Sequence, residues 1–243
     1  MKRFILAGIL FFPVLVLGYW FYWGLDHSLK LPSEDVKKTV EQRLEEFGPA
    51  ARARLRPVFA ATNANYPPAR LVLVGLKTEQ VLQVYALDAN QRMALMHSYP
   101  IRAASGVVGP KLREGDEQVP EGIYGIESLN PNSKYHLSLR VNYPNEFDRE
   151  QARKEGRSNL GGDIMIHGSN VSVGCLAMGD EAAEDLFVLA ADTGITNVSV
   201  ILSPIDFRTG AIAPYVSKLP AWSRGLYETI KSNLAELPVA ERK

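Results

Sequence analysis

The 243 residues contain one cysteine, Cys175, and only four histidines: His27, His97, His136 and His167. A single thiol excludes an intramolecular disulfide and any metal site built from several cysteines. Four scattered imidazoles give no metal-ligand spacing either, so neither a metal nor a cofactor is expected. Charge of neither sign dominates. Twenty-seven Lys and Arg balance 27 Asp and Glu, no basic block breaks that balance, and nucleic acid is not an expected partner. Internal repeats and low-complexity segments are also missing. What remains, 46% apolar and 22% charged residues, is the composition of a folded globular chain, long enough for one ordinary domain with a core.

The N-terminus holds the one long hydrophobic run. Lys2 and Arg3 precede an uncharged stretch from Phe4 to Leu25, 22 residues that end in an aromatic cluster, Tyr19-Trp20-Phe21-Tyr22-Trp23. A helix of about 20 apolar residues spans a bilayer core. Positive charge favours the cytoplasmic side, and aromatics favour the interface. Pro13 is tolerated in such a helix. No small-residue cleavage pattern follows the run, and no cysteine that could take a lipid. Residues 1–25 therefore predict an uncleaved signal anchor: a single-pass inner-membrane protein with the rest of the chain in the periplasm. The alternative, a cleaved signal peptide, leaves the chain periplasmic as well.

Residues 26–68 read as a membrane-proximal helical spacer. Ser33 is a candidate N-cap, and Val36, Val40, Leu44 and Phe47 keep to one helical face. Gly48-Pro49 is expected to end that helix. Arg52, Arg54 and Arg56 follow at a spacing of two, which suggests a weak basic contact with a membrane surface. Strand signals begin after Tyr66-Pro67-Pro68. Leu71–Val74, Val81–Tyr85 and Met93–Ile101 form a meander, and Ile123–Ile126, Tyr135–Val141, Asp163–His167 and Val198–Leu202 follow. Asp180 is expected to cap a helix from about 181 to 191, stopped by Gly194, and a last helix covers about 221–237. The expected fold class is mainly β with peripheral helices (α+β), a β-sandwich or open barrel in one domain. That domain spans 69–208, with a C-terminal helical extension over 209–243 packed on it.

The chemistry concentrates in 161–178. His167 ends an apolar strand, Gly168-Ser169-Asn170 is a turn signal, and seven residues separate His167 from Cys175. A chain reversal there brings imidazole and thiol together. An ordinary thiol is mostly protonated at neutral pH, and an adjacent imidazole can take its proton and activate it as a nucleophile. Gly174 keeps bulk away from an incoming carbonyl. The amides of Val173, Gly174 and Cys175 are candidates for an oxyanion hole, and Ser172 for positioning the loop. The bland alternatives are a buried cysteine, a capped strand-end histidine and a serine that closes a turn.

Ile166-His167-Gly168 followed by Ser172-Val173-Gly174-Cys175 resembles the signature of the L,D-transpeptidase catalytic domain of the YkuD type. The stretch from Gly106 to Asp116, with Pro120-Glu121-Gly122, is similar to that family's strand–turn–strand. Leu129–Ser133 and Gly161-Gly162-Asp163 resemble its YafK-like branch. The likeness covers roughly residues 70–208. It implies that Cys175 attacks a carbonyl of a peptidoglycan stem peptide to form a thioester, with His167 as base and then acid. The usual orienting group beside this histidine falls at Gly168 and Ser169. Val173 stands where many members have a second histidine, and Ala177 where many have an arginine. The YafK-like branch implies instead a hydrolase that detaches a wall-linked outer-membrane lipoprotein. Arg102, Lys111 and His136 are further candidates for substrate binding. A non-catalytic cell-wall-binding module is the remaining alternative, although a binder needs neither His167 nor Cys175.

Overall fold

Strand β1 (Leu71–Leu76) is apolar throughout and buried along its whole length. This is the pattern of a strand covered on both faces. It lies between β2 (Val81–Leu87), which is antiparallel to it, and β9 (Val198–Ser203), which runs parallel. The computed structural model describes residues 37–211 and 219–239, and from Lys38 onward the described residues form one compact unit. The predicted membrane anchor over 1–25 and the Ser33 cap lie outside the described residues. No helix among the described residues is long and apolar enough to cross a membrane.

The remaining strands are β3 (Met93–Pro100), β4 (Ala103–Ala104), β5 (Gly122–Ser133), β6 (His136–Val141), β7 (Met165–His167) and β8 (Leu176–Ala177). All nine join in one sheet, ordered β3-β2-β1-β9-β5-β6-β7-β8-β4. Strand β5 is its pivot. Gly122–Gly125 pair with β9, whereas Ile126 onward pairs with β6, with a register shift between Ile126 and Ser128. One long strand thus serves two sections of sheet. Both sections feed one core, where Leu71, Leu73 and Val84 meet Leu137, Leu139, Ile166 and Leu176. The mainly β class with peripheral helices is what the structure shows.

Helix α1 (Val40–Ala61) corrects two expectations. It runs straight through Gly48-Pro49 and contains Pro57 as well. A proline inside a helix removes a hydrogen bond and costs about 3 kcal/mol. Burial of Leu55 and Phe59 against the sheet core offsets that loss. The observed N-cap is Thr39, in a capping box with Gln42. Two of the three arginines are not free for a membrane surface. Arg52 forks onto Asp192 with two hydrogen bonds of 2.7 Å, and Arg54 meets Asp185 at 2.9 Å and Glu184 at 3.2 Å. All three acids belong to α3 (Asp180–Thr193). Arg56 lies over the Tyr66 ring.

The hydrophobic residues of α3, among them Leu186, Phe187 and Leu189, fill the same core as α1. Gly179, not Asp180, is its N-cap; the Asp180 carboxylate is occupied elsewhere. Between β6 and β7 lies α2 (Glu146–Lys154), which strand-oriented reading of the sequence overlooked. Its signal is Asn145-x-x-Asp148 directly after Pro144, a reciprocal capping box. The last helix, α4 (Ser223–Ala235), lays Leu226, Ile230 and Leu234 on the opposite face of β1, against Val72 and Val74.

Candidate active site

The sheet register sets the site. Strand β7 is antiparallel to β6, with His167 opposite Ser138 and Met165 opposite Arg140. It is parallel to β8, with Ile166 opposite Leu176 and His167 opposite Ala177. Side chains alternate faces along a strand. Ile166 and Leu176 point into the core, so Met165, His167, Cys175 and Ala177 share the other face. His167 and Cys175 therefore stand on neighbouring strands, on one side of the sheet, offset by two residues.

The imidazole is held by a stacked ring and a backbone carbonyl. His167 is 1% exposed, and its ring stacks on Tyr135 with centroids 4.7 Å apart. Nδ1 lies 2.6 Å from the carbonyl oxygen of Gly168. A carbonyl only accepts, so Nδ1 carries the hydrogen and Nε2 presents its lone pair. Burial pulls the imidazole pKa below its ordinary value, and the Gly168 carbonyl partly opposes that. Gly168 itself tolerates no side chain: a Cβ there would sit 2.6 Å from Asp180 Oδ1, 2.8 Å from the Tyr135 carbonyl and 2.9 Å from His136 Cβ. The Ser169 amide donates to Asp180 Oδ1 at 2.7 Å. The Gly179 amide donates to the Ser169 carbonyl at 2.8 Å, fastening the turn to the start of α3.

Cys175 is half-buried. Its Sγ accepts from the Met165 amide at 3.4 Å and donates to the Asp163 carbonyl at 3.5 Å. Burial raises the thiol pKa; the Met165 amide and Lys111 work against that, and the Asp163 charge adds to it. The thiol is pushed up and the imidazole down, so the resting pair is neutral, thiol beside imidazole. Among the described residues no hydrogen bond joins Nε2 to Sγ, whose proton is turned to Asp163.

Two of the amides expected to form an oxyanion hole are already engaged. The Cys175 amide donates to Ser172 Oγ at 3.0 Å, and that hydroxyl donates to the Cys175 carbonyl at 2.6 Å. The Gly174 amide donates to Ser105 Oγ at 2.5 Å, and Ser105 donates to the Glu117 carbonyl at 2.7 Å. Only the Val173 amide has no acceptor among the described residues. Ser172 thus closes the nucleophile loop, and Ser105, which nothing in the sequence singled out, braces it from the 105–118 segment. Gly174 adopts φ +82°, a backbone that favours glycine. Val173 itself is 72% exposed on the rim, with Val107, Val171 and Tyr135 as further exposed apolar residues.

The other candidates separate. Arg102 is exposed, and its amide donates to the Ala177 carbonyl at 2.8 Å, which puts its backbone beside the nucleophile strand. Lys111 is buried rather than solvated: its ammonium binds Asp116 at 2.6 Å and the Arg113 carbonyl at 2.9 Å, making it a turn-building residue whose charge also acts on the thiol. His136 is a packing residue. Its Nε2 lies 3.0 Å from Glu184 and its ring meets Phe47 edge-on. Among the described residues no cluster of His, Cys, Asp or Glu could hold a metal.

Comparison with known proteins adds to this geometry. The family described as YkuD, the L,D-transpeptidase catalytic domain, matches residues 69–200. YafK of Escherichia coli K12, which carries the provisional designation of L,D-transpeptidase, is 36% identical over 113 residues, 46% of this chain and 43% of that protein. The matched region is thus less than half of the relative's length. Among solved structures, the helical cell shape determining protein Pgp2 from Campylobacter jejuni is similar with a TM-score of 0.46 and 24% identity, covering 56% of this chain and 48% of that one. L,D-transpeptidase 1 of Mycobacterium tuberculosis reaches a TM-score of 0.32 at 16% identity, over 55% of this chain and 62% of that one.

Proposed function

The chain belongs to the L,D-transpeptidase (YkuD) catalytic-domain family, and from that premise we propose that it is an extracytoplasmic cysteine acyltransferase acting on peptidoglycan stem peptides. The observation that carries this reading is the sharing of one sheet face by His167 and Cys175, with Nδ1 tied to the Gly168 carbonyl so that Nε2 is left as the proton acceptor.

In this reading Cys175 Sγ turns from Asp163, passes its proton to His167 Nε2 and bonds the donor carbonyl carbon. The imidazolium returns the proton to the departing amine as the C–N bond breaks, leaving a thioester on Cys175. An acceptor amine then gives its proton to Nε2, attacks the thioester and releases the thiol. A neutral resting pair suits this sequence, because the proton moves only as the carbonyl is attacked. The Val173 amide, which has no acceptor among the described residues, is the donor left for the developing oxyanion among the three amides of this loop. The Gly174 and Cys175 amides join it only if their serine hydroxyls rotate away.

Water as the acceptor is the second reading. It would release a wall-linked outer-membrane lipoprotein rather than form a cross-link, as the resemblance of Leu129–Ser133 and Gly161-Gly162-Asp163 to the YafK-like branch implies. Anchoring through residues 1–25 in the inner membrane, with the domain in the periplasm, belongs to the same proposal.

The test is covalent capture followed by product analysis. The protein lacking residues 1–25 is incubated with a carbapenem or a stem tetrapeptide, and the adduct on Cys175 is read by mass spectrometry. Adduct formation in the wild type that is lost in Cys175→Ala and falls at least a hundredfold in His167→Ala supports acyl transfer. A wild-type rate unchanged in His167→Ala refutes the base assignment. Digestion of sacculi then separates the acceptors: new cross-links mark transfer to an amine, and released lipoprotein without them marks transfer to water.

A further inference from the structure

Lysine and glutamate are seldom buried unless paired. Lys77 follows β1 directly, and Glu121 directly precedes β5. Their side chains are 8% and 0% exposed, and Nζ lies 2.9 Å from Oε1. The ammonium also donates to the carbonyls of Val107 at 2.9 Å, Val119 at 3.0 Å and Gly109 at 3.2 Å. An ammonium has three N–H groups, so these four acceptors occupy all of them. The carboxylate is engaged at both oxygens. Oε1 also accepts the Gly109 amide at 2.8 Å, and Oε2 accepts the Tyr227 hydroxyl of α4 at 2.6 Å.

What this pair holds is the segment 105–121, which leaves β4 and returns to β5. Val107 and Gly109 lie on its outgoing arm and Val119 on its returning arm, so one ammonium ties the two arms together. A second tie joins the Val107 amide to Gln118 Oε1 at 3.0 Å. The same segment reaches the nucleophile loop. Ser105 Oγ accepts the Gly174 amide at 2.5 Å and donates to the Glu117 carbonyl at 2.7 Å. The Gln118 carbonyl oxygen lies 3.6 Å from the point where a Gly174 Cβ would stand. Contacts therefore run without a break from α4, through Tyr227, Glu121 and Lys77, to the residue before Cys175. Stability alone does not call for them. A buried ion pair roughly offsets its own desolvation, and apolar side chains of similar volume often hold a fold equally well. The two charges instead fix backbone, and that backbone braces the site.

We propose that Lys77, Glu121 and Tyr227 are positioning residues for Cys175: together they clamp the 105–121 segment, and through Ser105 they set the place of the Gly174 amide and of the thiol that follows it. Helix α4, which packs against Val72 and Val74 of β1, thereby acts on the nucleophile loop as well as on the core. The effect on rate rests on the acyl-transfer reading; the mechanical link to Gly174 does not.

The test replaces both charges at once, Lys77→Met with Glu121→Leu, so that no unpaired ion is left in the interior. Tyr227→Phe, which removes one hydroxyl and keeps the pair, serves if the double variant does not fold. Two quantities are read on the whole chain: hydrogen exchange of the Gly174 amide, with the amides of β1 as the folding control, and the rate of carbapenem adduct formation on Cys175. In the double variant, Gly174 exchange is expected to rise and adduct formation to fall, each by roughly tenfold or more, while β1 stays protected. Tyr227→Phe should move both in the same direction by a smaller factor. A double-mutant cycle with Ser105→Ala separates positioning from general loosening. If the clamp acts through Ser105, replacing the pair in the Ser105→Ala protein slows adduct formation by less than about twofold further. Unchanged Gly174 exchange in folded variants overturns the proposal, as does an adduct rate at or above that of the wild type, or an equal loss of rate with and without Ser105. Faster Gly174 exchange in a protein whose wild type forms no adduct upholds the link and overturns the acyl-transfer reading.

Discussion

Replacing Gly168 by alanine should disable the site through a single carbon atom. The new Cβ would lie 2.6 Å from Asp180 Oδ1, 2.8 Å from the Tyr135 carbonyl oxygen and 2.9 Å from His136 Cβ. None of these can retreat cheaply. The Asp180 carboxylate holds the Ser169 amide at 2.7 Å, Tyr135 is backbone, and the His136 ring is tied to Glu184. Residue 168 itself must therefore shift, and its carbonyl is the acceptor that fixes His167 Nδ1 at 2.6 Å. Overpacking of this kind costs about 1–3 kcal/mol of stability. At this chain length that lowers Tm by roughly 2–12 °C. The effect on chemistry should be larger than stability accounts for, since a displacement of about 1 Å in a catalytic group can cost about a hundredfold in rate. The assay pairs thermal unfolding with the rate of carbapenem adduct formation at a temperature where the variant is fully folded. Gly225→Ala in α4 is the control, because nothing lies within 4 Å of its Cβ position. Adduct formation in folded Gly168→Ala at the wild-type rate would refute the claim that this carbonyl orients the imidazole.

Three further outcomes are expected. Alkylation of Cys175 by iodoacetamide should rise with pH to a midpoint above that of an ordinary thiol, since burial disfavours the thiolate; a midpoint below it would indicate a resting ion pair with His167. Burial raises the Asp148 carboxyl to about 6 from its usual 3.8, so the folded state holds the proton more tightly than the unfolded chain. Its contribution is present in full below pH 3.8 and is lost as pH climbs to about 6, roughly 3 kcal/mol in all. Urea unfolding from pH 4 to 7 should show that loss in the wild type and a flatter profile in Asp148→Asn; identical profiles would count against it. Phe59→Ala, which empties a fully buried position in α1, should cost about 3–5 kcal/mol. No change in the unfolding midpoint would mean that α1 is a detached spacer after all.

The strands were legible because their signals are local. Continuous apolar runs such as Leu71–Leu76 and Val198–Ser203 leave few alternatives to a central strand. Helix α1 misled because Gly-Pro is a strong breaker in isolation, and the packing of Leu55 and Phe59 that overrides it comes from residues far along the chain. Arg52 and Arg54 misled for the same reason: their partners on α3 lie more than 120 positions away. Ser105 gave no sequence signal at all, because its task is to accept one amide, that of Gly174, across 69 positions.

The sequence alone determined the chemistry available: one thiol, an imidazole eight positions before it, and glycines where the backbone must be bare. Residue identity and short spacing suffice for that, since local conformation follows from them. Tertiary structure decided how those groups are used. Strand register put His167 and Cys175 on one face, desolvation made the resting pair neutral, and two serine hydroxyls occupied amides that looked free. Each of these depends on what surrounds a group in space, and neighbours brought in from distant parts of the chain leave no local trace in the order of residues.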